Sequence, residues 1–281
     1  MVRYNKERYE NMEKNTEHIR KAIRENYARV AQSGSSGACC SDNSCCGSDK
    51  ANILGVSKLM GYEAADLVSV PTSSNMGLGC GNPLEYANIH PRETVLDLGS
   101  GGGFDCFLAS EVTGKDGLVL GVDMTPEMIK LARDNALEGG YENVEFRLGE
   151  IEHLPVSDNS IDVIISNCVI NLSIDKNQVF MDAFRVLKPG GRLAVSDVAA
   201  TCDIPDEVRN DLRLISDCIG GASHYKELGA MMKKAGFVDI KLIPKSNSKE
   251  IVSTWGPGVS PEDYIASFRI EALKPIQAKE I

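Results

Sequence analysis

Thr94-Val95-Leu96-Asp97-Leu98-Gly99-Ser100-Gly101-Gly102-Gly103 decides the fold. Its first five residues predict a short apolar strand, closed by a run of glycines. Residues 104–112 then read as a helix. A strand ending near an acid, a Gly-x-Gly-x-Gly turn and a helix let backbone approach a ligand closely. The ligand crevice of such a sheet lies at the carboxyl ends of its strands. Moving outward, 117–122 predicts a second strand ending at Asp123. Thr125-Pro126-Glu127 opens a helix, with Thr at the N-cap and Pro at the first helical position. Further strands are predicted at 143–148, 161–166 and 192–198. A helix at 179–187 stops at Lys188-Pro189-Gly190-Gly191. Alternating strands and helices with short connections predict a parallel sheet covered on both faces.

The flanks are less regular. Residues 1–31 are charged, with apolar or aromatic positions at Tyr9, Met12, Ile19, Ile23, Tyr27 and Val30. Glu10 with Lys14 and Glu17 with Lys21 form favourable i,i+4 pairs, so one amphipathic helix is expected. Residues 32–50 turn to Ser, Gly, Asn and Asp with Cys39, Cys40, Cys45 and Cys46, a composition that predicts a flexible loop. One or two short helices are expected at 51–70. Beyond residue 200, helices are predicted at about 206–219, 224–235 and 261–273, and short strands at 237–243 and 249–255. The domain reading is 1–50 for the helix and Cys-rich loop, 51–200 for the cofactor-binding domain, and 201–281 for a small C-terminal α+β cap.

Bulk properties narrow the function. A net charge of −10 disfavours nucleic acid, an acidic substrate or an anionic membrane as partner. No apolar run is long enough to cross a bilayer, and Met1-Val2-Arg3-Tyr4 begins no secretory h-region, so a cytoplasmic protein is expected. Thiols there stay mostly reduced, and nine cysteines is an odd number. Cysteine therefore reads as ligand or catalyst before disulfide framework. Three of them stand in separate motifs: Gly79-Cys80-Gly81, Asn167-Cys168-Val169 and Asp217-Cys218-Ile219. Soft thiolates gathered around a cofactor loop suit a soft electrophile or metalloid. The four histidines, His18, His90, His153 and His224, read as structural, and no general base stands out.

Asp97-Leu98-Gly99-Ser100-Gly101 resembles motif I of class I S-adenosylmethionine methyltransferases. Asp123, Gly149-Glu150-Ile151-Glu152 and Leu187-Lys188-Pro189-Gly190-Gly191 follow in that superfamily's order. The resemblance implies a doubly wound, mostly parallel seven-stranded Rossmann-like methyltransferase sheet, with an N-terminal helical extension and a small C-terminal α+β part. It also implies a cofactor site. Gly99, Ser100, Gly101 and Gly103 would sit with Asp97 beside the amino-acid part of the cofactor, and Asp123 on the ribose hydroxyls. Met124, Glu150 and Ile151 would lie near the adenine, and Asn167 and Val169 beside the transferred methyl. The Asn-Pro-Pro-Tyr tetrad of amino-methyltransferases is absent after the fourth strand, where Ser166-Asn167-Cys168-Val169 stands instead.

With Cys80, Cys168 and Cys218 in these contexts, the chain resembles arsenite methyltransferases. That implies methyl transfer from S-adenosylmethionine to trivalent arsenic, presented as arsenite or a thiol conjugate and held by those three cysteines. Cys168 and Cys218 would hold arsenic throughout, and Cys80 would join from a mobile loop. An accessible, polar setting is expected for all three, since thiolate is the binding form. The family reading adds a disulfide step, with Cys45 or Cys46 as partner of Cys80, and a thiol reductant such as thioredoxin or glutathione. Zinc fits the paired cysteines poorly, because they lack C-x₂-C spacing. Cys106 reads as a small buried hydrophobe, and Cys202 stays open. A monomer is expected. The rival readings are a class I methyltransferase of a small quinone- or sterol-like substrate, and a non-catalytic metalloid-binding protein.

Overall fold

A computed structural model describes residues 2–33, 50–209, 211–253, 255 and 260–276. Helices α1 (Val2–Ser33), α2 (Lys50–Met60), α3 (Asp66–Ser69) and α4 (Leu84–Ala87) precede β1 (Thr94–Leu98). The alternating core follows as α5 (Phe104–Thr113), β2 (Leu118–Asp123), α6 (Pro126–Gly139), β3 (Val144–Leu148), β4 (Ile161–Asn167), α7 (Lys176–Val186) and β5 (Leu187–Ala200). Then come α8 (Asp206–Arg209), α9 (Leu212–Ser216), α10 (Tyr225–Ala235), β6 (Val238–Pro244), α11 (Ser248–Val252) and β7 (Ile265–Leu273).

The seven strands form one sheet in the order β3-β2-β1-β4-β5-β7-β6. β1 to β5 are parallel, and β7 runs antiparallel between β5 and β6. Side chains alternate faces along a strand. Leu96, Leu98 and Ile164 pack with Phe180 and Leu193 on one face, while Val95, Val163 and Ile165 pack with Phe107 and Ala132 on the other. Both faces are buried, which explains the nearly continuous apolar runs of β1 and β4. The order reverses between β1 and β4, so the crevice lies beyond Leu98 and Asn167.

The C-terminal part departs from expectation. Residues 249–255 do not form a strand, since Ser248–Val252 is helix α11, with Ile251 and Val252 buried. A short apolar run fits either state until its neighbours decide. Residues 261–273 are not a helix. Ile265–Leu273 is the central antiparallel strand β7, in register with Arg192 to Ala200 over its full length. Partners on both edges outweigh the local preference of Ala, Glu and Leu for helix. The helix predicted at 206–219 is broken into α8 and α9, because Asp211 caps α9 by accepting the Arg213 N–H at 2.8 Å. β5 is longer than predicted and takes in Lys188-Pro189-Gly190-Gly191. Thr125 holds the N-cap position of α6, but its side chain makes no cap bond. Residues 34–49, with Cys39, Cys40, Cys45 and Cys46, lie outside the described residues.

Candidate functional site

One cavity runs from the β2 end to the cysteines. Asp97, Gly99, Ser100, Gly101, Asp123, Met124, Glu150, Ile151, Asn167 and Val169 all line it. Gly103 does not: its α-carbon faces the rings of Phe107 and Phe146. Asp123 ends β2 and accepts N–H groups from Gly101 at 3.0 Å and Thr125 at 2.8 Å, which ties the glycine loop to the second strand. The Ser100 hydroxyl is buried with no hydrogen-bond partner. A buried orphan hydroxyl in a glycine cradle fits a polar ligand that completes it.

Asp97, Asp105 and Asp123 are all buried along this cavity. Burial, then the neighbouring Asp105, lifts the Asp97 carboxyl well above the usual range. Burial pushes Asp105 up to about 6, against hydrogen bonds from Tyr62 and Asn167 that favour its ionised form. Burial likewise raises Asp123 despite its backbone donors. Crowded carboxylates of this kind await a cation.

Sequence reasoning missed several lining groups. Arg20, Tyr27 and Val30 bring α1 across the cavity. Val30 packs with Met76 and Met128, and Arg20 reaches Glu150 and Glu152 at 3.8 and 3.6 Å. The spacing of Ile23, Tyr27 and Val30 signalled a buried face, but not what it covers. Asp105, in the first turn of α5, and Trp255 carried no sequence signal.

Three cysteines distant in sequence meet in one cluster with Val198, Ile204, Leu214 and Ile219. Cys168 and Cys218 line the cavity, and Cys80 does not. The Cys218 Sγ lies 3.2 Å from the Cys168 carbonyl oxygen, and the Cys80 Sγ 4.0 Å from the Ser196 hydroxyl. All three are buried and unbridged, with Cys80 at 0% exposure, so the accessible, polar setting expected for them is not found. Gly79 and Gly81 pack Cys80 inward: a Cβ on Gly81 would overlap the Ser196 hydroxyl. Contacts with Cys218 and Cys80, then burial, hold the Cys168 thiol well above its ordinary range. Cys168 pulls Cys218 the other way, but burial and nearby Asp197 outweigh it and leave that thiol raised. Both residues adopt left-handed backbone, with φ of +60° at Cys168 and +63° at Cys218. Non-glycine residues rarely do so, and such strain gathers at functional sites. Among the described residues, no group of three or more His, Cys, Asp or Glu is gathered to hold a metal ion. Cys106 is buried against Asp97, and Cys202 is exposed.

Residues 89–236 match the family described as "Methyltransferase domain". An arsenite methyltransferase of Halobacterium salinarum is 49% identical over 94% of this chain and 68% of its own length. The chain belongs to the arsenite methyltransferase family. The human arsenite methyltransferase is 42% identical over 53% of this chain and 42% of its own length, so the chain spans well under half of that relative. The crystal structure of an arsenic(III) S-adenosylmethionine methyltransferase from Chlamydomonas reinhardtii superposes with a TM-score of 0.57 at 30% identity, covering 80% of this chain and 74% of that one. A phosphoethanolamine N-methyltransferase from Haemonchus contortus, at 16% identity and a TM-score of 0.60, covers 80% of this chain and 57% of its own, and shares the fold. S-adenosylmethionine is thus the methyl donor of this family member, and the orphan Ser100 hydroxyl and buried acids fit it.

If Asp105 takes part in donor binding, that binding depends on pH. Between about pH 4 and 6 the folded protein keeps a proton on Asp105 that the unfolded chain releases, so stability without donor falls as pH rises through that interval. A cationic donor needs the ionised carboxylate. Its affinity is expected to rise about tenfold from pH 5 to pH 7.5, following ionisation of Asp105. Titration calorimetry across that range checks this. S-adenosylhomocysteine, which lacks the sulfonium charge, should show a smaller rise; a flat profile for both would remove Asp105 from donor binding.

Proposed function

We propose that the chain methylates trivalent arsenic, held by cysteine sulfur, with the methyl of S-adenosylmethionine. The observation that carries this reading is the single cavity shared by Cys168, Cys218 and the acids of the glycine loop. When bound, the donor supplies an electrophilic methyl on a sulfonium. Asp123 would hold the ribose hydroxyls, Ser100 and the loop backbone the amino-acid part, and Met124 and Ile151 the adenine. Tyr27 and Val30 of α1 exclude water from the same space.

Cys168 and Cys218 supply a ready pair of ligands, and Cys80, in contact with Cys168, a third. The raised Cys168 and Cys218 thiols suit undissociated arsenite. Each S–As bond forms as an As–O bond breaks, and the thiol proton leaves with the hydroxide as water. The lone pair on arsenic then faces the methyl, and no general base is required because arsenic loses no proton. Holding both partners in line accounts for much of the rate gain. The finer reading places the enzyme in the cytoplasm as a monomer. It acts on arsenite or its thiol conjugates in detoxification. Methyl transfer would leave arsenic formally pentavalent; two cysteine sulfurs would return two electrons to it by closing a disulfide, which a thioredoxin- or glutathione-type reductant would reopen. The partner role expected of Cys45 or Cys46 falls outside the described residues.

Protonated thiols set a proton balance that can be read directly. Arsenite binding is expected to exchange no net proton between about pH 6 and 8, whereas thiolates would take up a proton for each hydroxide displaced. Calorimetry in buffers of differing ionisation enthalpy should give a slope near zero. A slope of one or more protons taken up would overturn the raised thiols. The reading as a whole is tested by methyl transfer from labelled S-adenosylmethionine to arsenite with a thiol reductant. Methylated arsenic is the expected product. None from a protein that binds the donor would shift the assignment to a small organic substrate.

A further inference from the structure

Asn167 ends β4 one residue before Cys168, and its amide grips the turn that carries Cys80. Its Oδ1 accepts the Cys80 N–H at 3.0 Å, and its Nδ2 donates to the Gly81 carbonyl at 2.7 Å. One side chain thus supplies the donor and acceptor that an adjacent strand would otherwise provide. Gly79, at φ +122°, leaves room for that amide: a Cβ there would lie 2.7 Å from the Asn167 Oδ1. From the other side, the Ser267 hydroxyl donates to the Cys80 carbonyl at 2.7 Å. The same Asn167 Nδ2 lies 3.0 Å from the Tyr62 hydroxyl and 3.5 Å from the Asp105 carboxylate, while Tyr62 donates to Asp105 at 2.6 Å. Asn167 and Asp105 both line the donor cavity; Cys80 does not.

We propose that Asn167 is a positioning residue that seats Cys80 against Cys168 and links that seat to the Tyr62–Asp105 pair at the donor end of the cavity. The arsenic part rests on the function proposed above. The seat itself does not. Removing the amide frees the Cys80 turn at both its N–H and its neighbouring carbonyl. Cys80 then spends more time away from Cys168, and arsenic loses its third ligand before its first two.

Alkylation by iodoacetamide, mapped by mass spectrometry in the absence of arsenic, tests the seat. In Asn167→Ala, labelling of Cys80 is expected to rise about tenfold, the change that loss of roughly one net hydrogen bond gives. Cys218 labelling should change less than about twofold, and a cooperative thermal melt, measured in parallel, serves as proof of folding. Asn167→Asp keeps an acceptor for the Cys80 N–H but cannot donate to Gly81. It should show a smaller rise, and it decides the matter if the alanine variant unfolds. Unchanged Cys80 labelling in the folded variants overturns the proposal. Donor affinity lost with Cys80 labelling unchanged makes Asn167 a donor ligand instead, and also overturns it. In turnover, Asn167→Ala should lower the ratio of arsenite to methylarsenite methylation as Cys80→Ser does. The double variant should fall no further than Cys80→Ser alone. Additive losses would break the link between the two residues. A wild type that methylates no arsenic would remove the arsenic reading and leave the labelling result to decide the seat.

Discussion

Cys168→Ser is expected to lose arsenic methylation by about a thousandfold or more while binding S-adenosylmethionine as the wild type does. Serine offers a hard oxygen where trivalent arsenic takes soft sulfur, so a ligand is lost outright. Orientation goes with it, and misplacement of a reacting atom by about 1 Å can by itself cost about a hundredfold. Cys168 shares one cluster with Cys80 and Cys218, so its loss removes one of three neighbouring sulfurs. Cys218→Ser should behave alike. Cys80→Ser should lose arsenite methylation yet keep part of the methylarsenite reaction, which needs only two protein ligands. Cys202→Ser is the control: that thiol is exposed, its Sγ donates to the Asp263 carbonyl at 3.3 Å, and turnover should stay within about twofold. Product analysis with parallel donor binding reads all four. Normal turnover by Cys168→Ser would end the thiol-cage reading.

The second large effect is expected at Gly99. Its φ is +71°, and a Cβ there would lie 2.4 and 2.5 Å from the two methyls of Val169. Gly140 has nearly the same φ, +69°, with nothing within 4 Å of its built Cβ. The pair separates two costs. Gly140→Ala carries only the left-handed penalty, about 1–2 kcal/mol. Gly99→Ala adds an overlap that forces Val169, and with it the backbone of Cys168, to move, worth about 1–3 kcal/mol more. If that extra strain falls on the loop, donor affinity drops about a hundredfold, since about 1.4 kcal/mol is a tenfold change. Thermal melts and donor titrations of the two variants check this. Equal behaviour would show that Val169 yields freely.

The centre of the fold was legible in sequence because its signals are local. β1, the glycine loop and α5 fall where the apolar run, the glycines and the helical pattern put them, and Asp123 closes β2 as read. That most residues expected at the cofactor line one cavity was legible for the same reason, since loops at strand ends follow once strands are known. What failed depends on partners far along the chain. α11 and β7 exchanged expected types because β7 finds β5 on one edge and β6 on the other. The packing of α1 over the cavity rests on Met76 and Met128, which no local pattern in residues 1–31 announces. The three thiols were legible as motifs, but their burial was not. Flanking glycines suggested mobility at Cys80, whereas Gly79 and Gly81 serve close packing against Asn167 and Ser196.

The left-handed backbone at Cys168 and Cys218 bears on how this chain drifts under mutation. At both positions glycine would relax the main chain, which offsets part of the packing lost when the buried thiol is removed. Ordinary screens for thermal robustness would therefore be slow to reject variants that lack these two sulfurs. On the function proposed above, selection for arsenic methylation is what keeps sulfur at these two left-handed positions. A lineage released from that pressure should lose these cysteines early, to glycine or asparagine, with its fold intact.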